Sequence, residues 1–175
     1  MAEGTDPKMT RLLLLRHARA AWAEPGMRDF DRPLDSNGLV DADAMGASLF
    51  AGGLLPQRII CSSARRARET WEKVGHHLED AEVSFTDLLY SSDATGYVNF
   101  IREHGSVDSL MIVGHNPMIE DTCFALAPDG APAALQARAN GFPACGLAVI
   151  RFPGSLAEAG PGRGHLDAFL TPADR

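Results

Sequence analysis

Apolar positions along the chain come in two rhythms. Short uninterrupted runs alternate with longer stretches in which they recur every three or four residues. "RLLLL" (11–15) is too short for a free-standing helix and reads as a strand buried on both faces. "QRIIC" (57–61) and "SLMIV" (109–113) have the same character, and "EVSFTDLLY" (82–90) holds a shorter strand. Between them lie helical patterns. One starts at Ser36, with Leu39, Ala42, Met45 or Gly46, and Leu49 on one face, and stops at Gly52-Gly53. A second carries Ala64, Ala67, Trp71, Val74 and Leu78, and residues 94–104 form a third. "NPMIEDTCFAL" opens a fourth, with Pro117 near its N-terminus. Residues 23–35, rich in Pro, Gly and Asp, read as irregular loop. "CGLAVIRF" (145–152) and "GHLDAFL" (164–170) are two late strands joined by a Gly/Pro-rich loop with no evident helix. The expected fold is therefore α/β, a mostly parallel sheet covered on both faces in three α/β/α layers, with a mixed edge. A polar tail over residues 1–10 precedes a single domain over residues 11–175.

Composition narrows the function classes. A chain of 175 residues with 45% hydrophobic and 22% charged residues can build a real core. Its net charge of −7 argues against non-specific nucleic-acid binding but leaves room for a local basic pocket. Three widely spaced cysteines, Cys61, Cys123 and Cys145, show no zinc-type spacing and read as reduced thiols of a cytoplasmic protein. No apolar stretch has the length of a membrane span or a signal peptide.

The chemistry collects at strand ends. Ligands of open α/β sheets bind beyond the carboxyl ends of the strands. The first strand delivers Arg16-His17 there, the second "SSARRARET" (62–70), and the "SLMIV" strand Gly114-His115-Asn116. Taken singly, each group has an ordinary role. A lone histidine is usually structural, and Arg65, Arg66 and Arg68 make a solvated helix face paired to Glu69 or Glu72. Three such groups on one rim outweigh those readings.

"LLLLRHA" resembles the Arg-His-Gly signature of the histidine phosphatase (phosphoglycerate mutase-like) superfamily, with Ala18 in place of Gly. "SSARRARET" resembles its Ser-x-x-x-Arg-Ala-x-x-Thr element, and "IVGHNP" its second catalytic histidine. Together with "DFDRPLDSNG" and the short length, the ordered set is most similar to the SixA-type phosphohistidine phosphatases. The Ala18 exchange is harmless if φ at that position is negative.

The resemblance implies a phosphatase in which His17 attacks phosphorus and carries a covalent phosphohistidine, with no cofactor and no metal. Arg16 and Arg66 would grip the phosphate oxygens with planar forks, and His115 would add a donor. The helix beginning near Asn116 would contribute its N-terminal N–H groups, which makes Asn116 a phosphate-site candidate. Arg32 corresponds to a further anion-contacting arginine, unless it pairs with Asp29 or Asp31 instead. Asp87 falls where mutase-like members carry an acidic Glu-x-x-Tyr, and is the candidate proton donor. Trp22 either walls the site or packs in the core. His76, His77, His104 and His165 have no supporting pattern, and Ser62 and Ser63 read as loop and cap groups. The expected substrate is a phosphorylated protein bearing phosphohistidine. The alternatives are a small phosphoester and, from another class, a non-catalytic phosphoanion-binding module.

Overall fold

The computed structural model describes residues 8–172. Its centre is strand β1 (Met9–Arg16), which pairs in parallel with β4 (Ser109–Gly114) on one side and antiparallel with β5 (Leu147–Pro153) on the other. Outside β4 lie β2 (Arg58–Ser62) and then β3 (Glu82–Thr86), both parallel; outside β5 lies antiparallel β6 (His165–Leu170). The strand order β3-β2-β4-β1-β5-β6 is the mixed sheet expected, with the antiparallel pair at one edge. β1 begins at Met9, so residues 9 and 10 of the expected tail belong to the sheet, and residues 1–7 lie outside the described residues.

The four leucines explain the layering. Side chains alternate across a strand, so Leu12 and Leu14 enter one core while Leu13 and Leu15 enter the other. The first core is closed by α4 (Ala94–Glu103), α5 (Met118–Leu126) and α6 (Pro132–Ala139), through Tyr97, Ile101, Ile119, Cys123 and Ala134. The second is closed by α1 (Ser36–Ala51) and α2 (Arg65–Gly75), through Ala42, Met45, Leu49, Ala67 and Val74. All four leucines are fully buried, each contributing about 1.5–3 kcal/mol from the surface removed from water. The one-turn helix α3 (Leu88–Ser91) follows β3.

Helix α6 is not legible as a helix in the sequence because it has no apolar stripe; its buried residues are Ala134 and Arg138. Asp35 caps α1, accepting from the Gly38 N–H at 2.7 Å. Gly38 has no room for a side chain, since a Cβ there would lie 2.2 Å from the Arg19 carbonyl oxygen. This close approach pins the loop after β1 to α1.

Gly114, the last residue of β4, is equally constrained. A Cβ would lie 2.6 Å from the Tyr97 hydroxyl. Tyr97 cannot retreat: it is fully buried, donates to the Leu89 carbonyl at 2.6 Å and accepts from the His115 N–H at 3.2 Å. Gly114→Ala is expected to lower stability by about 1–3 kcal/mol, as overpacking of a rigid core does. Urea unfolding checks this, and an unchanged midpoint would show that Tyr97 is not fixed.

Candidate active site

β1 loses its burial at Arg16 and His17, where the backbone is held on both sides. The His17 N–H donates to the Gly114 carbonyl, and the Cys145 N–H donates to the His17 carbonyl, each at 3.0 Å. Cys145 accepts this geometry at φ 60, in the left-handed region that a cysteine rarely enters. Ala18 is not among the positive-φ residues, so the usual glycine is not required there. The Ala18 N–H donates to the Thr70 hydroxyl at 2.9 Å, and Thr70 donates to the Arg66 carbonyl at 2.7 Å. The threonine of the second motif thus ties the loop after β1 to the helix that carries Arg66.

The His17 ring has one possible neutral form. Its Nδ1 lies 2.7 Å from the Ala18 carbonyl oxygen, which can only accept, so Nδ1 carries the proton. Its Nε2 accepts from Arg66 Nε at 3.3 Å, so Nε2 presents a lone pair. Burial pulls the His17 pKa down to about 3; the Ala18 hydrogen bond opposes this, while His115, Arg66 and Arg16 add to it.

Arg66 reaches this point because 66, 70 and 74 share the buried face of α2, four residues apart. Its neighbours Arg65 and Arg68 point outward, Arg65 to Glu69 at 3.2 Å. Arg66 also donates through Nη1 to the Asp29 carbonyl at 2.7 Å and through Nη2 to Asp29 Oδ2 at 3.0 Å. Asp29 Oδ2 further accepts from the Tyr90 hydroxyl at 2.8 Å, and Oδ1 accepts from Arg32 at 3.1 Å. Although burial alone would raise the Asp29 pKa, the bonds from Tyr90, Arg32 and Arg66 hold it at about 2.

His115, 4% exposed, lies with its ring centre 5.1 Å from that of His17. Its Nε2 is 2.8 Å from the Ser62 hydroxyl, which also accepts from the Ala64 N–H. Its Nδ1 and the Nε of Arg16 are buried and make no hydrogen bond among the described residues. Arg16 Nη1 donates to the Phe142 carbonyl at 2.8 Å, which fixes its side chain. Burial, with Arg66 next, lowers the His115 pKa to about 4 against the pull of Asp29.

The structure therefore gathers Arg16, His17, Arg66 and His115 in one place, and adds Asp29, Tyr90 and Ser62, which sequence reasoning did not assign to the site. Arg32 is there too, but as the partner of Asp29 and the Ala21 carbonyl. Asn116 spends its amide on the Phe142 carbonyl and on the Glu120 N–H, and the Ile119 N–H goes to the His115 carbonyl. Asn116 shapes the rim through backbone bonds, and those first-turn donors are already used. Asp87 is exposed at the start of α3 and lines a groove of about 740 Å³ with Phe30, Ser63, Trp71 and Phe85. It makes no side-chain bond to the cluster; the same segment instead sends in Tyr90. Trp22, expected to wall the site or pack, is 91% exposed and does not pack.

The chain matches the family model for the histidine phosphatase superfamily (branch 1) over residues 12–94. It is 34% identical over 161 residues to an uncharacterised protein of Mycobacterium tuberculosis, spanning 90% of this chain and 99% of that one. Two solved structures are similar over nearly the whole chain. One is the candidate phosphohistidine phosphatase SixA of Agrobacterium tumefaciens, with 34% identity, TM-score 0.81 and coverage of 93% and 98%. The other is its counterpart from Nakamurella, with 30% identity, TM-score 0.78 and coverage of 95% and 99%. The chain belongs to the histidine phosphatase superfamily. It is a phosphatase, and its sheet and helices follow the phosphoglycerate mutase-like plan. Among the described residues of this phosphatase, no helix is long and apolar enough to cross a membrane.

The electrostatics set a pH signature. The folded values of His17 and His115, about 3 and about 4, lie below the ordinary 6.5. The unfolded chain therefore binds more protons in that window, and the stability these rings contribute is complete above about pH 6.5. It is lost as the pH falls through about 4 and then 3. Imidazole ¹⁵N NMR should show His17 neutral, with the proton on Nδ1, still at pH 5. A His17 titration near 6.5 would contradict the geometry.

Proposed function

We propose that this phosphatase transfers the phosphoryl group of a protein phosphohistidine to His17 Nε2 and then hydrolyses the phosphoenzyme. The observation that carries this reading is the fixed His17 ring. Its lone pair faces Arg66 while Nδ1–H is held by the Ala18 carbonyl. In-line attack by that lone pair forms the N–P bond as the substrate's bond to phosphorus breaks, splitting one hard transfer into two easier ones. Arg16, Arg66 and His115 surround the position where the equatorial oxygens would lie. Arg16 Nε and His115 Nδ1, buried and without a hydrogen-bond partner among the described residues, are the donors this reading assigns to them. Ser62 orients His115: its hydroxyl accepts from Ala64 and is free to donate to Nε2, leaving the proton on Nδ1. Arg32, through Asp29, and Asn116, through the Phe142 carbonyl, act as positioning residues.

Proton supply separates the substrate classes. The carboxylate within the cluster is Asp29, held ionised at about 2, so it has no proton to give near neutral pH. An alkyl phosphoester expels an alkoxide that needs an acid as the bond breaks. The phosphohistidine ring, once protonated on its other nitrogen near neutral pH, leaves as neutral imidazole, a far weaker base, and needs little help. The likeness to the Agrobacterium candidate phosphohistidine phosphatase supports the same choice. A small phosphoester is the second reading, favoured by Asp87 in the groove beside Ser63.

Turnover of a phosphohistidine protein, an aryl phosphate and an alkyl phosphate tests the proposal. The expected rates fall with leaving-group basicity, by about 10²–10⁴ for the alkyl ester. Asp87→Asn should leave phosphohistidine turnover near normal. An alkyl ester hydrolysed as fast as phosphohistidine, with that rate lost in Asp87→Asn, would reverse the assignment in favour of the second reading.

A further inference from the structure

We propose that Asp29 is the residue that sets phosphate affinity in this site: its carboxylate pairs with Arg66 between turnovers and competes by charge with phosphate bound there. The inference rests on the reading of Arg66 as the phosphate ligand.

On a guanidinium, Nε–H and one Nη2–H point the same way and form a two-pronged grip suited to two oxygens of one phosphoryl group. In Arg66 the end of the guanidinium, Nη1 and Nη2, holds Asp29, and the edge faces His17. Nε points at His17 Nε2, at 3.3 Å, and Nη2 is held by Asp29 Oδ2, at 3.0 Å. A phosphoryl group bonded to His17 Nε2 must enter the 3.3 Å space between that atom and Arg66 Nε, so the guanidinium shifts to admit it and its oxygens come up beside the Asp29 carboxylate. The carboxylate is thus an anion already seated on the guanidinium that is to bind phosphate. Nη2 has a second N–H to offer, but a carboxylate and a phosphoryl group side by side on one guanidinium repel.

The surroundings give Asp29 somewhere to go. Oδ1 already accepts from Arg32 at 3.1 Å, Oδ2 accepts from Tyr90 at 2.8 Å, and the side chain is about half exposed, at 51%. It can leave Nη2 without losing all its partners. The Arg66 guanidinium lies over the Tyr90 ring, 5.7 Å from the ring centre, and its Nη1 donates to the Asp29 carbonyl, so the arginine keeps partners of its own as it makes way for the phosphoryl group. Arg32 thereby receives Asp29 rather than the substrate. A phosphatase must release phosphate as readily as it binds a phosphoryl group, and a resident carboxylate ready to reclaim the arginine favours release.

Inorganic phosphate is the probe, titrated calorimetrically into the full-length protein. Asp29→Asn removes the competing charge and should tighten phosphate binding about tenfold, since Arg66 is no longer neutralised by a neighbouring anion nor the repulsion met. Inhibition by phosphate should shift by the same factor. Tyr90→Phe should act in the opposite direction, weakening phosphate binding about threefold, because Asp29 then depends more on Arg66. A purely structural role would weaken binding in both variants. Weaker or unchanged binding in Asp29→Asn overturns the proposal. Arg66→Ala separates this from the reading beneath it: if phosphate binding survives there, Arg66 is not the ligand and both fail. If binding is lost there but Asp29→Asn does not tighten it, the Asp29 proposal alone falls.

Discussion

The 2.7 Å hydrogen bond between His17 Nδ1 and the Ala18 carbonyl is the interaction on which the chemistry of the site depends. An imidazole can be a donor, an acceptor or a cation, and this bond reduces the choice to one. With the proton committed to Nδ1, the lone pair on Nε2 has a fixed direction. It is available because burial, reinforced by His115, Arg66 and Arg16, keeps a second proton off the ring. The bond holds because the backbone around it holds. β1 ends between β4 and β5, and both the N–H and the carbonyl of His17 are taken by neighbouring strands or loops. Four buried leucines, two on each face, anchor the strand behind it.

A nucleophile that must stay neutral is surrounded by cations, and the same cations serve both purposes. Arg16 and Arg66 disfavour the imidazolium and would attract the phosphoryl oxygens. Asp29 is the counterweight. Without a nearby anion, two arginines and two histidines would hold phosphate too well. With Asp29 shared among Arg66, Arg32 and Tyr90, the positive field is tempered but not removed. Thr70, linking Ala18 to Arg66, keeps nucleophile and arginine in register.

The parts legible in the sequence are those where hydrophobic pattern and chemistry sit next to each other in the chain. Arg16-His17 follows an apolar run, His115 follows another, and Arg66 lies on the helix face defined by Thr70 and Val74. The same adjacency of runs and stripes yields the parallel sheet with its mixed edge. The parts that are not legible come from places without period. Asp29 sits in an irregular loop and meets Tyr90 from 61 residues away in the chain. Ser62 reads as a cap, and its bond to His115 joins the ends of two strands that only the fold makes neighbours. Asp87 stands out in the sequence for its carboxyl group, but β3 is an edge strand and leaves that residue exposed at its end; three residues on, the short helix turns Tyr90 inward. Helix α6 stays hidden because an alanine-rich segment with a buried arginine carries no stripe.

The most direct measurement is the site of phosphorylation itself. Rapid quenching at alkaline pH, where phosphoramidates survive, followed by ¹⁵N–³¹P NMR of the trapped enzyme, reports which nitrogen carries phosphorus. The expected result is a phosphoenzyme on His17 with phosphorus on Nε2, absent in His17→Ala. Phosphorus on Nδ1, on another residue, or a phosphoenzyme that persists in His17→Ala would contradict the role given to the His17 ring.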